Sequence, residues 1–315
     1  MTIPLVSICS ITYNHAPFIR QCLDGFLMQQ CNFPIEIIIN DDCSTDGTTE
    51  IIREYAEKYP DKIFPIFHEE NQYSKGVRGM FQKFVFPKAR GKYIALCEGD
   101  DYWTAPLKLQ KQVDFLESHP DYSMTYSNFI NVDGDNNRIN DIASMVSRVR
   151  SVSGYVLSDL ICGNFVHTPT VCLRRSVLLS DIYANNCEGD IDWGVFLECA
   201  SKGKVYFMDE CLACYRIHGA SMMRTCGDEV TRRGISSIKN LVRRVCLDKY
   251  GERMLRLSDY IYILYAAIAS CDRTIVKMLL TKRAWCFILI PCLLIIFVRK
   301  RIMMRKLKKI VIENI

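Results

Sequence analysis

The 315-residue sequence lacks several features that would assign it to a familiar class. Its first residues, MTIPLVSICS, contain neither the basic segment nor the apolar segment of a secretory signal. No Walker loop and no Gly-x-Gly-x-x-Gly segment is present to bind phosphate through backbone amides. The 16 cysteines are scattered singly rather than grouped as a disulfide framework. We therefore expect free thiols in a reducing cytoplasm.

One group of cysteines has a spacing that resembles a metal site. Cys211, Cys214 and His218 form a C-x2-C-x3-H pattern with no convincing fourth ligand. A strand over this segment would point the two cysteines to opposite faces. The pattern therefore favours structural cysteines over zinc.

The composition is that of a globular protein, with 49% hydrophobic and 24% charged residues. These values exclude a disordered, collagenous or coiled-coil chain. The net charge of +5 is concentrated between Arg273 and Lys309, where eleven residues are basic and none is acidic. The other 29 basic residues are outnumbered by 35 acidic ones. This distribution indicates an anionic membrane surface, not nucleic acid, as the partner of the basic segment.

The basic segment, residues 273–315, surrounds an uncharged stretch from Ala284 to Val298. Fifteen residues form a helix of about 22 Å, which is short of the roughly 30 Å hydrocarbon core of a bilayer. We expect the segment to dip into the inner face of the cell membrane, so that the protein is peripheral there. A buried C-terminal helix or an oligomer interface is the alternative. Residues 221–272 are predicted to be a helical extension.

The order of apolar segments up to residue 118 predicts alternating strands and helices. Four short β-branched runs predict strands at Leu5–Thr12, Ile35–Ile39, Ile63–Phe67 and Tyr93–Leu96. Helices are predicted after Pro17 and over Thr48–Tyr59, Met80–Phe86 and Pro106–Ser118. This alternation predicts an α/β fold with a Rossmann-like, mostly parallel central sheet and helices on both faces. Ligands of such sheets bind beyond the carboxyl ends of the strands.

Two of the loops at those ends are rich in carboxylates. The first contains Asp41, Asp42 and Asp46, and the second is Glu98-Gly99-Asp100-Asp101. A calcium loop is excluded because Arg53 stands where its last acidic ligand belongs. Ser44 and Asp46 have an alternative role as a turn and helix cap. If the carboxylates of these loops bind a ligand instead, their hard oxygen atoms suit Mn or Mg held together with a diphosphate.

Five segments in this order, VSICSITYN, IIINDDCSTDGT, CEGDDYW, IDWGVFLECASKG and YRIH, resemble glycosyltransferase family 2, whose members have the GT-A fold. The resemblance covers roughly residues 4–220, so we predict a catalytic domain over residues 1–220. It implies transfer of a sugar, with inversion, from a nucleoside diphosphate sugar, most commonly of UDP, to an acceptor hydroxyl. The acceptor would be a glycan or a lipid-linked molecule in cell-surface polysaccharide or glycolipid assembly.

The resemblance also implies roles for individual residues. The nucleotide sugar would be bound by residues of the three loops, namely Thr12, Tyr13, Asn14, Asp41, Asp42, Glu98 and Asp100. Glu98 departs from the aspartate that the family has at this position. Asp100 and His218 would hold the metal, with Asp101 in support. For His218 the alternative is a packing role, and Arg216 is expected either to pair with phosphate or to be solvated.

An inverting transfer needs a carboxylate that removes the acceptor proton. The resemblance implies Asp192 for this role, by its spacing from Ala200, with Asp190 and Glu188 as competitors. The alternative is that these acidic residues only begin the helix Trp193–Ala200. An acceptor site is predicted at Trp103, His167 and Thr168, although Trp103 also suits a core position.

Two other functions stay open on the sequence alone. A sugar nucleotidyltransferase on a related fold would need a glycine-rich N-terminal loop followed by a basic pair, and LVSICSITYNH has neither. A non-catalytic module that binds nucleotide sugar would keep donor and metal binding without turnover.

Overall fold

The computed structural model describes residues 3–139, 151–161, 163–179 and 192–219. The predicted helical extension, the basic segment and two competitors for the base, Glu188 and Asp190, lie outside these residues. Within the described ranges, no helix combines the length and the apolar character needed to cross a membrane.

Four parallel strands form the first part of the central sheet: β1 Val6–Thr12, β2 Ile35–Asp41, β3 Ile63–Phe67 and β4 Tyr93–Leu96. β1 lies between β2 and β4, and β3 pairs with β2. β1 and β2 are buried on both faces, as expected for parallel strands that are covered by helices on each side. All four strands therefore end at one edge of the sheet.

The second part of the sheet is mixed. Its strands are β5 Tyr102–Trp103, β6 Tyr122–Val132, β7 Cys172–Arg174 and β8 Lys204–Arg216. β7 is antiparallel to both β4 and β6, whereas β8 is parallel to β6 and antiparallel to β5. The full order is β3-β2-β1-β4-β7-β6-β8-β5. The α/β sheet predicted from the sequence is thus confirmed, and its antiparallel pairs are those of β7 with β4 and β6 and of β5 with β8.

Helices cover both faces of this sheet. One face packs against α1 Ile19–Leu27, α2 Thr48–Lys58 and α3 Lys108–Ser118. The other face packs against α4 Leu157–Ile161 and α5 Asp192–Lys202. Because side chains alternate along a strand, Ile8 and Cys9 of β1 belong to the two different cores. The predicted apolar face of α3, formed by Leu109, Val113 and Leu116, is buried.

Two elements differ from the prediction. The helix predicted over Met80–Phe86 is a π-type turn, Phe81–Val85, followed by a 3₁₀ turn, Phe86–Lys88. Pro87 has no N–H to donate, which prevents an α-helix from continuing through this point. β2 also runs two residues beyond the predicted end, because Asn40 and Asp41 still pair with β1 and β3.

Candidate active site

The loops after β1 and β2 are joined by side-chain hydrogen bonds. The backbone N–H of Asn14 donates to the Ser44 hydroxyl at 2.9 Å, and the N–H of Thr45 donates to Asn14 Oδ1 at 2.9 Å. Asn14 has the left-handed φ of 54°, which asparagine tolerates better than most residues. Tyr13, the residue between the strand and this turn, is 45% exposed. The predicted first loop is therefore fixed in place with one aromatic side chain open to a ligand.

The carboxylates of Asp41 and Asp42 accept hydrogen bonds that stabilise the loops at the strand ends. Asp41 is 1% exposed, and its carboxylate accepts hydrogen bonds from the hydroxyls of Ser44 and Thr49. Asp42 accepts the backbone N–H groups of Gln72 at 2.8 Å and Tyr73 at 3.0 Å. These bonds stabilise the loops around the strand ends. Direct contact of either carboxylate with a nucleotide stays a prediction.

The second carboxylate loop is fastened to the end of β1. The N–H of Gly99 donates to the Ile11 carbonyl at 2.9 Å. A Cβ atom at Gly99 would lie only 2.5 Å from Thr12 Oγ1, so the close approach requires glycine. Burial, and then the charges of Asp100 and Asp192, raise the pKa of Glu98 to about 8. Two carboxyl groups of this loop and a third, Asp192, from a distant part of the chain therefore lie near one another at this strand end, an arrangement that favours a bound cation.

Two histidines flank the Asp100 carboxylate. His218 Nε2 lies 3.0 Å from Asp100 Oδ2, and His15 Nε2 lies 3.9 Å from the same oxygen. The Asp100 side chain is 13% exposed, and its Oδ1 has no hydrogen-bond partner among the described residues. Burial lowers the pKa of His15, so its imidazole tends to be neutral. These donors and the unpaired carboxylate oxygen fit a divalent metal ion.

His15 was not among the residues predicted from the sequence. The sequence feature that could have indicated His15 is its position immediately after Asn14, in a loop at the carboxyl end of a strand. Among the described residues, His15, Asp100 and His218 form the only group of three metal-ligating side chains within 4.8 Å of one another. Cys211 is exposed while Cys214 is buried, so the two thiols lie in different environments.

The predicted base lies beside the predicted acceptor loop. Asp192 is the first residue of α5, and the Thr168 hydroxyl donates to Asp192 Oδ2 at 3.1 Å. The His167 ring packs against Phe129 and Tyr215, with centroids 4.0 and 5.0 Å away. The Asp192 charge reaches Glu98, since it contributes to the raised pKa of that group. The predicted base, the predicted acceptor loop and the second carboxylate loop are thus neighbours.

Trp103 belongs to the core and not to an acceptor surface. Its side chain is 2% exposed, packs against Phe26 at 4.8 Å between ring centroids, and donates its indole N–H to the Pro169 carbonyl at 2.8 Å. A ring buried to this extent has no free face for a sugar. Trp103 instead supports the turn that carries Thr168, so the prediction of acceptor contact is wrong.

Arg216 follows neither of the two roles expected for it. It is 1% exposed, and its guanidinium donates to the carbonyls of Asp100 at 2.7 Å and Asp133 at 3.1 Å and to Gln21 Oε1 at 2.8 Å. Its backbone N–H donates to Asp101 Oδ1 at 2.8 Å. Arg216 therefore ties the end of β8 to the second carboxylate loop instead of meeting phosphate or solvent.

The comparison with known families agrees with this geometry. The family model described as Glycosyl transferase family 2 matches residues 7–177. The chain belongs to glycosyltransferase family 2. The matched range contains the three predicted donor-binding loops of this family 2 chain, whereas Asp192 and His218 lie beyond it.

Curated relatives extend the match past residue 177. An uncharacterized protein of Mycobacterium tuberculosis is 41% identical over 213 residues, which make up 68% of this chain and 59% of that protein. The chain thus spans about three fifths of that relative's length. The putative teichuronic acid biosynthesis glycosyltransferase TuaG of Bacillus subtilis is 30% identical over 216 residues, 68% of this chain and 79% of TuaG.

Solved structures share the GT-A fold with this family 2 chain. TarS of S. aureus, residues 1–349 in complex with UDP-GlcNAc, superposes with a TM-score of 0.59 at 15% identity, covering 84% of this chain and 72% of TarS. The mannosyltransferase PcManGT from Pyrobaculum calidifontis, in complex with GDP-Man and Mn²⁺, gives a TM-score of 0.53 at 17% identity, covering 89% of this chain and 79% of PcManGT. At these identities the comparison establishes the fold.

Proposed function

We propose that this protein transfers a sugar from a nucleoside diphosphate sugar to an acceptor hydroxyl with inversion at the anomeric carbon. The proposal is carried by one observation. Asp192, which accepts a hydrogen bond from the Thr168 hydroxyl, lies near the Glu98–Asp101 loop at the carboxyl ends of the parallel strands. A base and a cation-binding carboxylate loop are the two parts that such a transfer needs.

The donor would lie across the first loop and the second carboxylate loop. Tyr13 is exposed there, and Thr12, Asp41 and Asp42 fix the backbone on which the nucleotide would rest. Asp100 and His218 would hold a divalent metal, Mn or Mg. The metal, when bound, supplies positive charge to the leaving diphosphate, which no phosphate loop of this chain supplies. TarS and PcManGT carry UDP-GlcNAc and GDP-Man, and this supports a nucleotide sugar as the donor.

The transfer itself would be a single displacement. The Asp192 carboxylate accepts the proton of the acceptor hydroxyl while the hydroxyl oxygen forms a bond to the anomeric carbon. The bond from that carbon to the diphosphate oxygen breaks on the opposite side, and the diphosphate leaves with the electron pair. The Thr168 hydroxyl, which donates to Asp192 Oδ2, would hold this carboxylate in position at the start of α5.

The similarity to TuaG, a putative teichuronic acid biosynthesis enzyme, supports a role in assembly of a cell-surface polysaccharide, with a glycan or lipid-linked acceptor. Proteins with such acceptors work beside a membrane. The basic segment 273–315 would hold the protein peripherally on the inner face of the cell membrane.

A thermal-shift screen of the purified full-length chain tests the donor assignment. UDP-, GDP- and TDP-sugars are each added with and without Mn²⁺, and one nucleotide class is expected to stabilise the protein only when the metal is present. At a donor concentration 100 times Kd, the expected stabilisation is about 2.7 kcal/mol. A response to none of the donors would contradict a nucleotide-sugar site, and donor binding without any turnover would instead favour the non-catalytic alternative.

Charge removal in the basic segment tests the membrane assignment. Replacing five basic residues with glutamine is expected to lower binding to vesicles that contain anionic lipid by roughly 5 kcal/mol, on the order of 10³-fold. The residues are Lys282, Arg283, Arg299, Lys300 and Arg301. Co-sedimentation measures the binding, with vesicles of neutral lipid as the reference.

A matched control replaces five exposed lysines of the described domain with glutamine: Lys58, Lys62, Lys75, Lys83 and Lys88. This control has the same net charge as the variant and is expected to keep most of the binding. If both proteins lost affinity equally, the interaction would depend on overall charge and the basic segment would not be the anchor.

A further inference from the structure

We propose that His15 is a third protein ligand of the metal that Asp100 and His218 hold, and that this second imidazole makes the centre prefer transition-metal ions over Mg²⁺. The inference deepens the proposed function, because it concerns the same metal site. The resemblance to the family implies Asp100 and His218 as metal ligands, whereas His15 is inferred to be a ligand from its position in this structure.

The three ligand atoms already lie close to the spacing that a metal ion requires. In an octahedral site with bonds of about 2.1 Å, neighbouring ligand atoms lie roughly 3 Å apart and opposite ones roughly 4 Å apart. The Asp100 carboxylate oxygen is 3.0 Å from His218 Nε2 and 3.9 Å from His15 Nε2. All three ligand atoms lie within 4.8 Å of one another. Small side-chain rotations would therefore place one ion in contact with all of them.

His15 is held in the orientation that a ligand needs. Its Nδ1 lies 3.1 Å from Thr12 Oγ1, and its backbone N–H donates to the Thr48 hydroxyl at 2.9 Å. With the proton on Nδ1 and the Thr12 oxygen as acceptor, Nε2 presents its lone pair toward Asp100. Metal-ligating histidines are commonly fixed through the other ring nitrogen in this way. Thr12 is thus a positioning residue for His15.

The surroundings of the two rings restrict them further. The His15 and His218 rings meet edge to face with centroids 6.0 Å apart, and the Phe18 ring lies 4.8 Å from His218. A Cβ atom at Gly99 would come within 3.1 Å of His15 Nδ1, so the absence of a side chain there allows His15 to reach the carboxylate. Both imidazoles are therefore directed at Asp100 by packing as well as by hydrogen bonds.

The chemistry of this donor set determines which ions it favours. Mg²⁺ binds mainly oxygen ligands, whereas imidazole nitrogen suits first-row transition metals. Two histidines and one carboxylate on an octahedral ion leave three positions open, which diphosphate oxygens and water would fill. A site with one histidine would distinguish Mn²⁺ from Mg²⁺ less strongly than a site with two. Affinity in the complete site is expected to increase from Mg²⁺ to Mn²⁺ to Co²⁺.

Metal titrations of the full-length chain without nucleotide test this inference. The wild type, His15→Gln and His119→Gln are titrated with Mn²⁺, Co²⁺ and Mg²⁺ by calorimetry. His119 is an exposed histidine at the end of α3 and serves as the matched control. His15→Gln is expected to weaken Mn²⁺ and Co²⁺ binding on the order of tenfold or more and Mg²⁺ binding by less than about twofold. The control is expected to match the wild type.

Pulsed electron paramagnetic resonance of bound Mn²⁺ gives a second measurement that needs no enzymatic activity. Nitrogen couplings from two imidazoles are expected in the wild type and from one in His15→Gln. Thr12→Val, which keeps the ring and removes its hydroxyl partner, is expected to lower Mn²⁺ affinity less than His15→Gln does. A single imidazole in the wild type, equal losses for Mn²⁺ and Mg²⁺, or no metal binding at all would overturn the inference.

These results separate the inference from the proposed function. Metal-dependent donor binding with a single coordinated imidazole would leave the function standing and remove His15 from the metal site. Two coordinated imidazoles in a protein that binds no nucleotide sugar would keep the metal centre and remove the donor assignment.

Discussion

Replacing Asp192 with asparagine is expected to lower the rate of sugar transfer by about 10²- to 10⁴-fold, the range that a general base contributes. Asparagine keeps the side-chain shape and can still accept the Thr168 hydrogen bond. It cannot take up the acceptor proton at neutral pH. Donor affinity is expected to change much less than the rate, because Asp192 is not among the residues proposed to hold the donor or the metal. Steady-state turnover and a separate donor-binding measurement together give this result.

Two further variants make the Asp192 experiment decisive. Asp190→Asn tests the competing carboxylate of the same segment, and Asp61→Asn changes an exposed carboxylate in the turn after α2. The Asp61 variant should transfer sugar at the wild-type rate. Near-normal turnover of Asp192→Asn combined with a large loss in Asp190→Asn would move the base to Asp190. Full activity in all three variants would leave Glu188, or a carboxylate in another part of the chain, as the base.

Replacing Asp100 with asparagine is expected to abolish the metal-dependent part of donor binding. The substitution removes the negative charge that faces the two histidines and replaces one carboxylate oxygen with an amide nitrogen, which is a poor metal ligand. The stabilisation of about 2.7 kcal/mol expected at 100 times Kd should disappear. This loss corresponds to a decrease in the donor-induced shift of Tm of roughly 1.5 °C for each kcal/mol in a chain of this length.

The result for Asp100 is interpretable only if the variant folds. Its melting temperature without ligand should therefore be compared with that of Asp61→Asn, and both should keep the far-ultraviolet spectrum of the wild type. Unchanged donor affinity of Asp100→Asn in the presence of Mn²⁺ would rule out Asp100 as the metal ligand. Equal loss of donor binding with and without metal would instead indicate that the loop itself contacts the nucleotide.

The first part of the sheet could be predicted from the sequence because its signals are local. Each parallel strand is a short apolar run that stops at a polar loop, and β3 and β4 have the predicted bounds. The second part carries no comparable signal. β7 has three residues, and it pairs with strands nearly 80 and 50 positions earlier in the chain. Pairing over such distances depends on tertiary packing, which periodicity along the sequence does not encode.

The part of the candidate site that lies in loops at the carboxyl ends of strands could be predicted from the sequence. Asp100 and the loop residues Thr12 to Asn14 lie together because parallel strands end at one edge of a sheet. For Trp103 the sequence left acceptor and core positions open, and neither role expected for Arg216 is the one it has. An indole N–H and a guanidinium can both be satisfied by backbone carbonyls in the interior, as Pro169 and Asp133 show.

The Arg216 bonds have a consequence for biosynthesis of the protein. The loop that carries Asp100 is completed by a guanidinium more than one hundred positions later in the chain, and His218 comes later still. A nascent chain emerging from the ribosome thus carries the donor loops well before the residues that close the metal site. Contacts of such long sequence separation form late in folding. If the proposed metal site is correct, synthesis must pass residue 218 before the ion can bind, and chains truncated before that point would lack one of its ligands.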